Sequence, residues 1–247
     1  EDAKAHPETI VNTAGRGGPF PKTFPGAHTS GVPNVNTVRD AYDLSGDTGK
    51  KYSVPILWDK ETSTIVNNES SEIIRMFNSA FNDITGNTDD YWPEHLRDAI
   101  APINDRIYDT FNNGVYKSGF ATTQKAYEAA VVPLFETLDW LESHLSENRF
   151  LMGDRVTEAD WRLWTTLIRF DSVYHLHFKC NRKRIVDYPN LWAFTRELYQ
   201  WQGVAQTVNM DHIVRHYHYS HDTINPNRII PINPVLDYAA PHGRGTR

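Results

Sequence analysis

The sequence predicts a small α/β unit followed by an all-helical domain, and three observations indicate this fold class. Residues 52–77 combine two short apolar runs, a proline and a polar turn with the start of an amphipathic helix. After Pro93, apolar residues recur at helical spacing through several long segments. Residues 83–91 between these parts are polar and typical of a linker. We therefore expect a first domain over residues 1–85 and a second over residues 92–247.

Composition and charge exclude several functional classes. The 247 residues carry a formal net charge of -6, so no broad basic face is available to recruit nucleic acid or anionic lipid. The sequence has no stretch near the roughly 18 apolar residues of a membrane span, and its acidic opening does not resemble a signal peptide. A single cysteine, Cys180, excludes an internal disulfide framework and a cysteine-rich metal site. We expect a cytoplasmic protein without a nucleic-acid or membrane partner.

The first domain is predicted to hold few regular elements. Residues 1–37 are rich in glycine, proline, threonine and asparagine and are predicted to be loop. A short helix is predicted over residues 38–44. Two strands follow, one at the Val54-Pro55 step and one at residues 64–66, and a polar turn joins them. Apolar residues at helical spacing then predict a helix over residues 70–81.

The second domain is predicted to be helical throughout. Apolar residues at helical spacing indicate helices over residues 96–112, 122–145, 161–174 and 189–201. Residues 161–174 are apolar nearly all round, so we expect this helix to be buried. Thr157 and Asp160 form a capping-box pattern that starts the helix, which is a folding signal without a catalytic role. The tail after Ile224 is interrupted by prolines and is predicted to be irregular.

The Val54-Pro55 step has a structural and a functional interpretation. Proline cannot donate to a sheet ladder, so here it is typical of an edge strand or a special turn. In thioredoxin-like domains a cis-proline at this place leaves the preceding backbone N–H and C=O free to pair with a bound peptide. The alternative is an ordinary edge proline without a ligand.

Glu69 and Ser70 begin the predicted helix and form a second candidate site. The Ser70 hydroxyl can cap the helix, and with the first free N–H groups it forms an anion-binding end. Glu69 beside it can accept an ammonium group, so the pair suits the carboxylate and amine of an α-amino acid. The alternative is ordinary capping, with Glu69 favoured by the positive end of the helix dipole.

Tyrosines and histidines cluster in the second domain. Tyr116 follows Gly114, which is predicted to form a turn that ends the preceding helix. Phenols beside cationic groups can act as general acids or stabilise an oxyanion, and the alternative is an aromatic packing layer. The histidines between residues 175 and 221 lack a spacing that focuses them on one metal ion, so a metal site is disfavoured. Basic neighbours can activate Cys180, but its place after a buried helix favours an inert thiol.

Several runs of this sequence resemble glutathionyl-hydroquinone reductases, the xi class of glutathione transferases. The resemblance covers about residues 50–235 and lies in the runs VPILWDK, TIVNNESSEIIRMFN, NNGVYKSGFATTQKAY, RLWTTLIRFDSVYHLHFKCN, DYPNLW, GVAQTVNMDHIVRHY and SHDTINP. It implies a thioredoxin-like N-terminal domain, a helical C-terminal domain and a homodimer.

The resemblance also implies a reaction and its co-substrate. Glutathionyl-hydroquinones are reduced to hydroquinones while glutathione is converted to glutathione disulfide, and no metal takes part. Glutathione is expected on the backbone of Ser53 and Val54 and on the side chains of Glu69 and Ser70.

The implied roles in the second domain belong to tyrosines. Tyr116 is expected to donate or accept the proton, and Tyr174 and Tyr217 are expected to line the quinol pocket. The family's nucleophile is a cysteine in a Cys-Pro-Trp-Ala motif on the first thioredoxin-like helix. This motif does not occur in the 247 residues, and Cys180 falls in a different segment of the family pattern.

The missing motif leaves alternative functions open. The first is an active reductase whose initial strand, helix and cysteine are absent from these residues. The second is a non-catalytic relative that binds glutathione or a quinol. A third is a transferase in which a tyrosine activates glutathione directly. A start without methionine, and the uncovered sheet edge that loss of a first strand would leave, favour the reductase.

Overall fold

The computed structural model describes residues 32, 35–47, 49 and 51–245 of the chain. The chain divides into two compact units, Glu1–Asp89 and Asp90–Arg247. The loop predicted over residues 1–37 lies almost entirely outside the described residues. The two predicted domains, with limits at residues 85 and 92, stay predictions.

The described part of the first unit is an α/β structure. Its elements are α1 (Val38–Leu44), β1 (Leu57–Asp59), β2 (Thr64–Asn67), α2 (Ser70–Ser79) and α3 (Asn82–Thr85). The two strands pair antiparallel, with an irregularity in register between Leu57 and Trp58. Asp59 closes the turn between them, because its Oδ1 accepts from the backbone N–H of Glu61 at 2.8 Å. The predicted short helix and the strand at residues 64–66 are confirmed, whereas the strand predicted at the Val54-Pro55 step begins after the proline, at Leu57.

The ends of two helices in this unit follow from their caps. Thr37 and Asp40 form a capping box at the start of α1. The helix predicted over residues 70–81 ends at Ser79, with Ala80 as its C-cap. A separate short helix then begins at Asn82 and ends at Thr85; its C-cap is Gly86, whose φ of 68° lies in the left-handed region that glycine tolerates.

The second unit is helical. Its helices are α4 (Arg97–Ile107), α5 (Gly114–Gly119), α6 (Gln124–Glu147), α7 (Glu158–Arg169), α8 (His175–His177), α9 (Pro189–Tyr199) and α10 (Met210–Ser220). The 24-residue α6 packs against α5 and α9 and contributes Leu134, Leu138 and Leu141 to the fully buried core. The four helices predicted from periodicity are confirmed, with ends that differ by a few residues. None of the helices in the described ranges is long and apolar enough to cross a membrane.

Asp160 fastens the start of α7 to the preceding turn. Its fully buried carboxylate accepts from the backbone N–H of Leu151 at 2.8 Å, from that of Thr157 at 2.8 Å and from the Thr157 hydroxyl at 3.0 Å. The predicted capping box is therefore confirmed. It also reaches a residue outside the helix, which orients α7 in the core.

The irregular tail is tied to the helical core through Glu197 of α9. The carboxylate of Glu197 is buried between Arg149 and Arg244, with nitrogen–oxygen distances of 2.7 and 2.6 Å. Gln200 adds a hydrogen bond from its Nε2 to the backbone oxygen of Tyr238 at 2.9 Å. These polar contacts fix an extended segment that has no backbone ladder of its own.

Replacement of Asp160 by alanine should destabilise the second unit strongly. The change leaves the buried N–H groups of Leu151 and Thr157 without an acceptor, and we expect a loss of about 3 kcal/mol in the free energy of unfolding. Urea titration followed by tryptophan fluorescence measures this loss. The control Glu128→Ala removes an exposed carboxylate from α6 and should cost less than about 0.5 kcal/mol. Equal losses in the two variants would contradict the anchoring role of Asp160.

Candidate active site

Three tyrosine hydroxyls meet in the second unit, and we call this group the phenol trio: Tyr116, Tyr174 and Tyr217. The Tyr217 hydroxyl lies 2.6 Å from that of Tyr116 and 2.8 Å from that of Tyr174. The third pair, Tyr116 and Tyr174, is separated by 3.5 Å. Tyr217 thus joins two hydrogen bonds, and the three residues are 43 to 101 positions apart in sequence.

The members of the phenol trio differ in exposure and therefore in chemistry. Tyr174 and Tyr217 are buried, whereas Tyr116 is 37% exposed. Burial raises the pKa of Tyr174 and of Tyr217; both other phenols raise that of Tyr174 further, and Tyr116 raises that of Tyr217 further. Both groups are neutral near pH 7 and keep their protons. The exposed Tyr116 can receive a hydrogen bond from Tyr217 while it faces solvent or a ligand.

Local structure places each hydroxyl. Tyr174 ends a π-helical turn, Phe170–Tyr174, that continues α7. A second π-helical turn, Tyr108–Asn112, precedes α5, which carries Tyr116. Such turns interrupt the helical register and recur at functional sites. Tyr217 lies on α10, which is capped at its start by Asn209.

The role predicted for Gly114 is wrong. We expected this glycine to form a turn that ends a helix, but it is the first residue of α5. Its backbone continues from the π-helical turn, and Asn113 before it is already in the right-handed helical region. The glycine signal was misleading because the segment is helical on both sides.

The histidines gather next to the phenol trio. The Nε2 of His177 lies 3.1 Å from the Nδ1 of His221, and the rings of His177 and His218 are 4.6 Å apart. Burial lowers the pKa of His177 and of His221 to about 4, assisted by neighbouring histidines. Among the described residues, no group of three or more His, Cys, Asp or Glu side chains could hold a metal ion.

Cys180 has the character of an inert thiol. Its side chain is fully buried, and burial raises its pKa to about 12. The basic neighbour Lys179 lowers the pKa only in part. The thiolate needed for nucleophilic chemistry is therefore scarce at neutral pH.

In the first unit, the Val54-Pro55 peptide bond is cis. The Val54 side chain is 70% exposed. Within the described residues, its backbone N–H and C=O make no hydrogen bond. These groups can pair with an extended peptide, as the functional interpretation requires.

Two residues that the sequence reasoning missed support this segment. The buried Tyr42 of α1 donates from its hydroxyl to the backbone oxygen of Ser53 at 2.8 Å. Asn68 donates to the Tyr42 hydroxyl at 2.9 Å and to the Ser53 hydroxyl at 3.3 Å. The position of Tyr42 on a short helix ahead of the strands was the available signal, because a tyrosine in a buried position requires a partner for its hydroxyl.

The start of α2 differs from the prediction in one respect. We expected Ser70 to cap the helix, but Glu69 is the N-cap and Ser70 is the first helical residue. The longer carboxylate reaches the backbone N–H of Ser71 at 3.2 Å and accepts from the Ser71 hydroxyl at 3.2 Å. The exposed N-terminus of α2 still places the Glu69 carboxylate beside the Ser70 N–H, which has no acceptor among the described residues.

The chain is similar in sequence to glutathione transferases and to glutathionyl-hydroquinone reductases. Residues 124–197 match the family model of the glutathione S-transferase C-terminal domain. Glutathionyl-hydroquinone reductase YqjG of Escherichia coli is 51% identical over 230 residues, which are 92% of this chain and 70% of YqjG. Glutathionyl-hydroquinone reductase PcpF of Sphingobium chlorophenolicum is 55% identical over 185 residues, 75% of this chain and 59% of PcpF. The chain thus spans 59% to 70% of the length of these two relatives.

Solved structures of xi-class glutathione transferases are also similar to this chain. The glutathione-bound structure of YqjG superimposes with a TM-score of 0.90 at 50% identity and covers 93% of this chain and 75% of that one. Glutathione transferase Xi 1 from Trametes versicolor superimposes with a TM-score of 0.86 at 52% identity, over 89% of this chain and 78% of that one.

The pair His177 and His221 should lower the free energy of unfolding in mild acid. The folded-state pKa of His177 and His221 is about 4, below the ordinary value of 6.5, so the unfolded chain binds protons first as the pH falls. The stability that this pair contributes is complete above pH 6.5 and is lost between pH 6.5 and about 4. In the variant His177→Gln, we expect the urea midpoint to depend less on pH in this window.

The control for this prediction is His95→Gln, which removes an exposed imidazole from the same unit. Its urea midpoint should follow the wild-type pH profile. If His177→Gln also follows that profile, the buried pair does not contribute to the acid sensitivity.

Proposed function

Because the chain belongs to the glutathionyl-hydroquinone reductase family of xi-class glutathione transferases, we propose that it reduces glutathionyl-hydroquinones to hydroquinones with glutathione as co-substrate. The observation that carries this proposal is the phenol trio, which offers neutral phenol donors with one exposed member. The geometry alone indicates proton donation, and the family relationship indicates that the reaction is reduction of a glutathionyl-hydroquinone.

The overall reaction balances as a two-electron reduction. Glutathionyl-hydroquinone and glutathione react to give hydroquinone and glutathione disulfide. The carbon–sulfur bond of the substrate breaks, a sulfur–sulfur bond forms, and the ring carbon takes up a proton. Glutathione is oxidised while the quinol carbon is reduced.

The phenol trio is the proposed source of that proton. Tyr116 donates to the ring carbon as the sulfur leaves, because it is the exposed member. Tyr217 then supplies a hydrogen bond to the Tyr116 oxygen, and Tyr174 supports Tyr217. A donor network of this kind stabilises the charge that develops on Tyr116.

The nucleophilic thiolate is proposed to come from a cysteine other than Cys180. The thiol of Cys180 is buried, and its pKa of about 12 keeps it protonated. The phenol trio and the first unit are assigned to protonation and binding, and the family's Cys-Pro-Trp-Ala motif is assigned to the attack on sulfur. The protein that the natural gene encodes is therefore the sample in which turnover is tested.

The first unit is proposed to bind glutathione. The backbone N–H and C=O of Val54, next to Ser53, have no partner in the described part of the chain and suit the extended cysteinyl part of the tripeptide. The N-terminus of α2 at Ser70 suits the γ-glutamyl carboxylate, and Glu69 suits the neighbouring ammonium. This unit is the proposed thioredoxin-like domain, and the second unit is the proposed quinol-binding domain.

We also propose a cytoplasmic homodimer, as the resemblance implies. Light scattering of the purified protein tests the dimer directly. A monomer mass at micromolar concentration would contradict it.

Tyr116→Phe should lower kcat for glutathionyl-hydroquinone reduction by about a hundredfold, because it removes the donor that contacts the substrate. Thermal unfolding should remain close to wild type, since the lost hydroxyl is partly exposed. The control Tyr188→Phe removes a phenol hydroxyl that bonds Asp139 outside the phenol trio and should leave kcat unchanged. Unchanged turnover in Tyr116→Phe would remove that residue from the mechanism.

Glu69→Gln should weaken glutathione binding about tenfold, because a charge-assisted hydrogen bond to the ammonium becomes a neutral one. The amide oxygen of glutamine still accepts at the N-cap, so the helix remains. Calorimetry measures the Kd, and Glu61→Gln in the exposed hairpin turn is the matched control.

The proposed reductase function is tested separately. If the natural protein binds glutathionyl-hydroquinone but does not reduce it, the proposal is wrong and the protein is a binding protein.

A further inference from the structure

Phe178 packs against every member of the phenol trio. Its ring centroid lies 5.3 Å from that of Tyr116, 5.5 Å from that of Tyr174 and 6.0 Å from that of Tyr217. The contact with Tyr174 is a stack with an interplanar angle of 17°. Phe178 is fully buried, so it contacts protein on all sides. The positions of the three phenol rings therefore depend on the position of this one ring.

Two histidines close the space around Phe178. The ring of His221 stacks on it at 5.7 Å and 16°, and the ring of His177 lies 5.2 Å away at 30°. The hydrogen bond between the two imidazoles fixes them against each other. The rings of Tyr174 and His221 are thus both nearly parallel to that of Phe178. Because Phe178 is fully buried among its neighbours, its displacement must also move neighbouring side chains.

Gly119 allows Phe178 to occupy this place. A Cβ atom on Gly119 would lie 2.8 Å from the Cβ of Phe178 and nearer still to its Cγ and Cδ1. These are the inner atoms of the side chain, and a change of rotamer does not remove the clash at Cβ. Any residue larger than glycine at position 119 must therefore displace the ring or the backbone of Phe178.

Gly114, at the other end of α5, does not have this constraint. A Cβ atom there would lie 3.6 Å from the nearest atom of Leu134, which is an ordinary van der Waals distance. Both glycines are buried in the same helix. A methyl group fits at Gly114 but not at Gly119, and it is Gly119 that contacts Phe178.

We propose that Gly119 is a positioning residue of the phenol trio. Because it has no side chain, it leaves room for Phe178 to pack against the three tyrosine rings. This inference rests on the proposed function and deepens it, because it names what holds the proton donor in place. Hydrogen bonds between hydroxyls require oxygen distances below about 3.0 Å. The bonds of 2.6 and 2.8 Å at Tyr217 are lost if Phe178 moves its neighbours by about 1 Å.

The test uses Gly119→Ala in the protein that the natural gene encodes, with Gly114→Ala as the matched control. Gly119→Ala should lower kcat about a hundredfold, since a misplacement of about 1 Å at a reacting group has effects of this size. The KM for glutathione should stay within about twofold. Gly114→Ala should match wild type in both constants. Wild-type kcat in Gly119→Ala would overturn the proposal.

A double-mutant cycle with Tyr217→Phe separates positioning from general instability. If Gly119 acts through the phenol trio, Gly119→Ala lowers kcat little further once the Tyr217 hydroxyl is gone. Full additivity would contradict the inference.

Alkaline titration of tyrosine absorbance gives a readout that does not need turnover. Displacement of Phe178 exposes the buried phenols, so Tyr174 and Tyr217 should ionise at lower pH in Gly119→Ala than in wild type. If wild type lacks reductase activity but this titration shifts, the proposed function fails and the positioning role stands. If the titration curves superimpose, the positioning role fails. Should Gly119→Ala not fold, Phe178→Leu must show the same shift, and a wild-type curve in that folded variant would overturn the proposal.

Discussion

Buried hydroxyl groups must find hydrogen-bond partners, and in the second unit the buried Tyr174 and Tyr217 meet this requirement with each other and with the exposed Tyr116. An unpartnered buried hydroxyl costs about 1–3 kcal/mol. Tyr174 and Tyr217 avoid that cost only if the π-helical turn after α7, helix α10 and helix α5 come together at one point. The packing of these elements therefore brings the hydroxyls together, and the hydrogen bonds between the hydroxyls in turn stabilise that packing.

The fold class was predictable because local signals agreed. The capping pair at residues 157 and 160, the proline-interrupted hairpin and the helical periodicity each predicted the element that is found. The fold class is confirmed as a thioredoxin-like unit with a helical unit, consistent with the xi-class structures. Consistency between local signals and tertiary packing is what makes such predictions reliable.

The errors at Ser70 and Gly114 share one physical cause. In each case a residue type with a strong positional preference is overruled by its neighbours. Glu69 caps α2 because its carboxylate reaches the Ser71 N–H, and Gly114 continues a helix because the backbone before it is already helical. The position of Tyr42 indicated that its hydroxyl needs a partner, but the partners of Tyr42 and Phe178 could not be predicted from sequence, since each contact joins different elements.

The two π-helical turns have a consequence for how insertions and deletions are tolerated. A π-helical turn accommodates a residue more than a regular helix does over the same length. Loss of one residue within residues 170–173 would restore a regular helix, so the residues after the turn would keep about the same direction relative to α7. Insertion of one residue into the regular part of α7 would instead rotate all following residues by about 100°. The phenol of Tyr174 would then face away from its partners. The π-helical turn is therefore the place in this helix where a change of length disturbs the phenol trio least.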